Sequence, residues 1–256
     1  MIIKGREFSF LVFALLVVMT IYLMRRGKQS WSVRKIAGLD AIEESIGRAT
    51  EMGRPVFFTP GGGDVVSGAS AVDTMAAVEV LSYVASMTAK YKLKLTVGIR
   101  QANTYAVADQ TVKEAYVAAG QPDLYSPDIV QFYSPEQFAY AASCVGYFQR
   151  ERPSAILMLG WFQAEAVMLA EGAAQTGAIT VGGMVKFNQL AMMVACCDYI
   201  LIGEELYVAG AYLSQNKIKL ACIRSQDFGK LAAIVAIIVG TLMVSAGNKA
   251  LVKLFS

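Results

Sequence analysis

The sequence predicts an α/β fold: a Rossmann-like, doubly wound and mostly parallel sheet of about six strands, flanked by one transmembrane helix at each end of the chain. Three observations carry this. Short β-rich apolar runs alternate with longer helical ones through the middle of the chain, the runs are continuous rather than alternating, and the surplus of apolar residues collects at the two ends. Continuous apolar runs suit strands buried on both faces of a parallel sheet.

The predicted strands are Val56-Thr59, Leu93-Ile99, Ile129-Tyr133, Ala155-Gly160, Ala178-Val181 and Tyr199-Ile202. Helices between them carry start signals. Ser70-Ala71-Val72-Asp73 has the spacing of a capping box ahead of a helix over Met75-Tyr91. Ser134-Pro135-Glu136-Gln137 offers an N-cap, a proline at the first helical position and a closing glutamine. Further helices are predicted at Leu39-Met52, Ala106-Ala119, Gln163-Gln175 and Phe187-Cys196. No Pro/Ser-rich linker or charge block divides this region, so one domain is expected over 36–224, between anchor segments at 1–35 and 225–256.

Hydrophobic residues make up 55% of the chain, and the mean hydropathy is +0.46, above the soluble globular range. Phe8 to Met24 is seventeen residues without a charge, followed at once by Arg25, Arg26 and Lys28. At 1.5 Å per residue it spans roughly 26 Å, the short end of a bilayer crossing. A cleaved signal peptide is the competing reading. The absence of a small-x-small cleavage site, and a basic cluster placed after the apolar stretch, favour a retained anchor. Leu231 to Gly247 is again seventeen uncharged residues; a buried core helix competes with a membrane span there. Ala232, Ala236 and Gly240 recur every four residues on one helical face, which permits close helix packing in lipid. Basic residues gather on the domain side of both segments, so the expected topology is a two-pass protein of the cell membrane. Its α/β domain lies in the cytoplasm and both termini outside.

Charge divides along the same line. From Ile36 to Ile223 there are twelve Lys/Arg and eighteen Asp/Glu, so the domain is acidic although the whole chain carries +3. An acidic domain without interleaved basic and aromatic residues excludes nucleic acid as a partner. Histidine is absent, which removes Ser-His-Asp and Cys-His nucleophiles, His-ligated zinc or haem, and imidazole pH switches. The cysteines, Cys144, Cys196, Cys197 and Cys222, form no C-x-x-C pair and read as buried small hydrophobes in a reducing compartment. No metal, cofactor or catalytic constellation is implied, which leaves open whether the chain is an enzyme.

In doubly wound sheets ligands bind beyond the carboxyl ends of the strands. Thr59-Pro60-Gly61-Gly62-Gly63-Asp64 is the most unusual of these loops. Its backbone N–H groups have the makings of an anion cradle, but it lacks the G-x-G-x-x-G spacing and the Lys-Ser/Thr pair of nucleotide loops. Pro60 and the glycines also suit a tight turn against a neighbouring chain. Glu204 and Glu205 follow the last strand, and Glu165 follows the fourth. With Asp64 they would form a site for a hard cation, or an acid–base pair, were they to converge on one rim. Offsetting a helix dipole, or ion pairing at a subunit contact, explains them as well. Arg100, with Asn103 and Tyr105, stands after the second strand.

The run Tyr199-Ile-Leu-Ile-Gly-Glu-Glu-Leu-Tyr-Val-Ala-Gly-Ala-Tyr-Leu-Ser214, the Thr59-Pro-Gly-Gly-Gly63 loop and Ser225-Gln-Asp-Phe-Gly-Lys230 before a terminal apolar helix carry a likeness. The chain resembles, over nearly its whole length, a family of prokaryotic membrane proteins catalogued as a domain of unknown function. The resemblance implies the architecture with both anchors and supplies no activity.

Two functions are therefore expected. The first is a homo-oligomeric structural or assembly protein held against the bilayer, its small residues allowing close packing and Tyr125, Tyr133, Tyr140 and Tyr147 serving as interface anchors. The second is a tethered domain that binds a small anionic, nucleotide-like ligand through the Gly61–Gly63 loop and the Glu204–Glu205 rim. A transporter is disfavoured, since neither apolar segment carries a charge.

Overall fold

The computed structural model describes residues 7–25, 37–66, 68–214 and 217–245. The chain separates into two compact units: residues 34–214, and the two ends, 1–33 with 215–256.

In the first unit all six strands form and all pair in parallel: β1 (Val56–Gly61), β2 (Leu95–Ile99), β3 (Val130–Phe132), β4 (Ala155–Trp161), β5 (Ile179–Met184) and β6 (Tyr199–Ile202). Their order across the sheet is β3-β2-β1-β4-β5-β6, so this is a Rossmann-like sheet whose strand order reverses between β1 and β4. The helices are α2 (Ala37–Met52), α3 (Ala71–Lys90), α4 (Ala102–Ala118), α5 (Gln137–Glu151), α6 (Glu165–Ala174), α7 (Leu190–Cys196) and α8 (Glu205–Ser214). Two 3-10 turns, Pro122–Leu124 and Pro127–Ile129, lead into β3.

The strands are apolar throughout because both faces are covered. Val56 and Phe58 of β1, and Ala155, Leu157 and Leu159 of β4, pack with α2, α3, α4 and α8. Phe57, Ile156 and Met158 point the other way, onto α5, α6 and α7. Each large apolar side chain so buried contributes about 1.5–3 kcal/mol. Phe57 lies edge-on to Phe148 at 4.9 Å between ring centres, which fastens α5 to the centre of the sheet.

Several expectations change at the level of side chains. Tyr140 is fully buried, and Tyr147 nearly so. The hydroxyl of Tyr140 bonds that of Thr59, and the hydroxyl of Tyr147 bonds Thr96 at 2.9 Å. Both therefore belong to the core, because they sit on the sheet-facing side of α5. Tyr133 and Tyr125 are half-buried, the latter donating to Asp109 at 2.7 Å. The expected capping box does not form. Ser70 has helical backbone angles, its hydroxyl accepts from Asp64 N at 3.2 Å, and Asp73 is buried and accepts from Tyr207. Ser134 does not cap α5 either: its hydroxyl accepts from Glu136 N at 3.1 Å, and Glu136 is the N-cap. Of the four free cysteines Cys144 is buried and the others are half-buried.

The second unit contains α1 (Glu7–Arg25) and α9 (Lys217–Ser245). Thr20 and Ser225 bond hydroxyl to hydroxyl at 2.8 Å, and a Cβ on Gly229 would stand 3.2 Å from Leu16 Cδ2. Position falls along α1 as it rises along α9, so the helices are antiparallel. Ser225, Gly229 and Ala232 lie on one face of α9, yet Ala232 is exposed, Gly240 is half-buried and the Ala236 side chain lies outside the described residues. Among the described residues no helix is long and apolar enough to cross a membrane. Parts of both stretches expected to span, Phe8–Met24 and Leu231–Gly247, lie outside the residues whose side chains are described.

This register is open to a direct test. With the four native cysteines replaced, Thr20→Cys combined with Ser225→Cys is expected to form a disulfide on mild oxidation of the purified protein. Val18→Cys with Ser225→Cys is expected to remain reduced, read as mobility on a non-reducing gel.

Candidate functional site

The carboxyl ends of β1 and β4 meet where the strand order reverses, and glycine makes the meeting possible. Gly61 has φ +80, and a Cβ on it would lie 2.0 Å from the carbonyl oxygen of Trp161. On the partner strand Gly160 has φ +135, and its Cβ would lie 2.4 Å from Pro60 O. No side chain fits either place. The β1–β4 register shifts between Thr59 and Gly61, a bulge that turns the chain out of the sheet.

The loop that follows is held by its own hydrogen bonds. Gly61 N–H donates to Thr59 Oγ1 at 3.2 Å, Gly62 N–H to Trp161 O at 2.9 Å, and Asp64 N–H to Ser70 Oγ at 3.2 Å. Thr104 Oγ1 donates to Gly63 O at 3.0 Å. Three of the N–H groups that a phosphate would need are thus already engaged. Asp64 is engaged as well, accepting from Val66 N at 2.9 Å and from Asn103 Nδ2 at 3.1 Å.

Under Gly62 lies Glu165, the first residue of α6 and fully buried. Gln137, the first residue of α5, donates its side-chain amide to Glu165 Oε2. Oε1 has no hydrogen-bond partner. A Cβ on Gly62 would stand 2.7 Å from that oxygen and 2.6 Å from Arg100 Nη1. Arg100 follows β2 and is anchored through Nε to Pro135 O at 3.0 Å. Carboxylate and guanidinium therefore converge on Gly62 from two sides. The positive end of the α6 dipole favours the carboxylate, while burial disfavours its charge. Tyr140 borders the same group, and burial pushes its phenol well above the usual range; it stays protonated at physiological pH. Beside this, Lys186, beyond β5, places Nζ 3.6 Å from the centre of the Trp161 ring, a cation–π contact.

Asp64, Glu165 and the three glycines thus reach one crevice, together with Arg100. Glu204 and Glu205 do not join them. They follow β6, the sheet edge, with β5 lying between it and β4. Glu205 Oε2 accepts from Ile202 N at 2.9 Å and secures the turn into α8. Among the described residues no group of three or more Cys, Asp or Glu is placed to hold a metal ion. The expected convergence of four carboxylates is therefore not formed. Gln137 is the site residue the sequence conceals: its position marks it as a helix-closing glutamine, and only the fold turns it toward Glu165.

The glycines are expected to differ in stringency. Gly61→Ala should cost at least about 2 kcal/mol, since a backbone oxygen blocks the Cβ and φ is positive. Gly62→Ala should cost about 1 kcal/mol, because the blocking atoms end flexible side chains. Gly47→Ala, in α2 with nothing within 4 Å of its Cβ, should stabilise by about 0.5 kcal/mol. Urea unfolding of the three variants checks the order.

Comparison with curated proteins and with solved structures returns no match. The sequence model of one family, described as a domain of unknown function (DUF6754), matches residues 3–255, and with nearly the whole length covered the chain belongs to that family.

Proposed function

We propose that the α/β unit binds a small ligand rich in hydrogen-bond donors at the β1–β4 crevice, and that the α1–α9 pair tethers it to a lipid bilayer. The observation that supports the binding role is Glu165 Oε1, buried with no partner beneath a glycine and beside a guanidinium. An unsatisfied buried acceptor costs about 1–3 kcal/mol, and more when charged. A fold keeps such a group where something else completes it. The ligand donates to Glu165 and accepts from Arg100, so an amide or polyol, which does both, suits the site better than the phosphate of a nucleotide. Ligand entry requires Gly62 to move aside.

Glu165→Met is expected to raise the unfolding midpoint of the ligand-free protein, by about 1 kcal/mol of stability, because a buried charge is removed. The same change should abolish stabilisation by any ligand found. A thermal-shift survey of amines, amides, polyols and nucleosides, with inorganic phosphate as contrast, tests this. Absence of any stabilising compound, or equal stabilisation of the Met variant, would count against the reading.

The tether is supported by apolar side chains left open on both helices, among them Val18 at 65% exposure and Ile237 at 67%. Antiparallel packing also puts both connections to the α/β unit at one end of the pair, the end bearing Arg25, Lys217 and Lys219. That is the cytoplasmic end by the distribution of basic residues. The register, however, sets Lys230 beside the middle of Phe8–Met24, so the two uncharged segments are staggered by about ten residues, roughly 15 Å. One slab of hydrocarbon covers both only if the helices slide, so on this reading the Thr20–Ser225 disulfide expected of the purified protein should be lost in lipid vesicles. A second reading, homo-oligomeric assembly through the hairpin, is favoured by the exposure of Ala232 in line with Ser225 and Gly229. We expect the chain to stay in the pellet after an alkaline carbonate wash; release into the supernatant would remove the tether. The native mass of the detergent extract then decides on assembly: one discrete large oligomer supports it, and a monomer excludes it.

A further inference from the structure

The amino ends of the strands hold a second site, remote from the crevice. The pairing of β3 with β2 begins at Val97↔Val130, which leaves Leu95 and Thr96 on the sheet edge with no β3 residue in register beside them. The segment carrying the two 3-10 turns borders this notch and lines a half-open cavity of about 530 Å³, well within the range of small-molecule sites.

Its lining has three kinds of surface. Leu93, Leu124, Ile129 and Tyr116 supply apolar walls. The floor is the buried hydroxyl pair of Tyr147 and Thr96, bonded at 2.9 Å. The rim is charged with both signs. Lys94 and Glu151 neutralise each other at 2.9 Å, but Arg150 makes no ion pair among the described residues. Among the described residues the Asp128 carboxylate has only the Ser126 hydroxyl, at 3.4 Å. Among the described residues, a cation and an anion without an ion-pair partner thus flank one hollow of mixed polar and apolar lining whose edge is an open strand.

We propose that this cavity binds a short free peptide with apolar side chains, of two or three residues. Arg150 takes the terminal carboxylate and Asp128 the terminal ammonium. The Leu95–Thr96 edge offers main-chain hydrogen bonds, as in strand addition. The apolar walls hold the side chains, and the volume exceeds what a single amino acid fills.

Isothermal titration of the full-length detergent-extracted protein with L-leucyl-L-leucine tests the proposal. Saturable binding is expected, at least tenfold weaker for Arg150→Gln and for Asp128→Asn, both exposed positions whose replacement leaves the fold intact. Blocking the ligand, as N-acetyl-leucyl-leucine or as leucyl-leucine amide, should weaken binding by a similar factor. No saturable heat at millimolar peptide, or binding unchanged in Arg150→Gln, overturns the proposal. N-acetyl-leucine binding as tightly as the dipeptide would overturn it too, by reducing the cavity to a simple anion site. Glu165→Met is expected to bind leucyl-leucine as the unaltered chain does; loss there would place the peptide in the β1–β4 crevice instead.

Discussion

The structure of the α/β unit depends on how closely the carboxyl ends of β1 and β4 approach. These two strands occupy the middle of the sheet, and the carbonyls of Pro60 and Trp161 stand where side chains on Gly160 and Gly61 would have to be. The contact sets the bulge in β1 and gives Trp161 O the N–H of Gly62 as its partner. It also brings the turn after β4, with Glu165, beneath the loop after β1. A glycine-rich loop that resembles an anion cradle in sequence is, in space, the consequence of two backbones in contact. Its N–H groups are directed inward, at Thr59 and Trp161. The chemistry of the crevice is therefore left to side chains.

Those side chains form an incomplete circuit. Gln137 satisfies one oxygen of Glu165, the α6 N-terminus favours its charge, and Arg100 approaches the other oxygen without forming a direct ion pair. Arg100 is restrained by the Pro135 carbonyl, and Glu165 by Gln137. Neither closes the gap without losing a bond it already has. A buried carboxylate held short of its counter-charge contributes little to folding, and the binding role proposed for the crevice rests on that gap.

The sheet was legible because burial on both faces leaves each strand an unbroken apolar run: all six strands fall where those runs lie. What remained hidden depends on tertiary direction. Tyr140, Cys144, Tyr147 and Phe148 repeat at helical spacing, the signature of a core-facing stripe, but tyrosines suit an interface as well as a core, so the residue types alone do not give the direction. Asp73 satisfies the spacing of a capping box, yet Tyr207, more than a hundred residues on, claims its carboxylate. Helix α8 is masked by Gly203-Glu204-Glu205, which reads as a polar rim although Glu205 serves the turn itself. Likewise α9 begins at Lys217, well before the uncharged run, because Arg224, Asp227 and Lys230 are compatible with a helix even where they interrupt hydropathy.

Helix α5 ties the two candidate sites into one frame. Its first residue, Gln137, faces the crevice, and its last two, Arg150 and Glu151, face the cavity at the other end of the strands. Fifteen residues of helix separate these ends by roughly 20 Å. Two buried hydroxyl bonds hold the rod to the sheet, Tyr140 to Thr59 near one end and Tyr147 to Thr96 near the other. Phe148 adds an edge-on contact with Phe57 beside the second of them. A sliding motion of α5 would break all three at once. Coupling between sites requires an element with two packed arrangements, and α5 is pinned in one. If both proposed sites bind, filling the crevice is therefore expected to leave the affinity of the cavity unchanged, which titrating each ligand in the presence of the other checks.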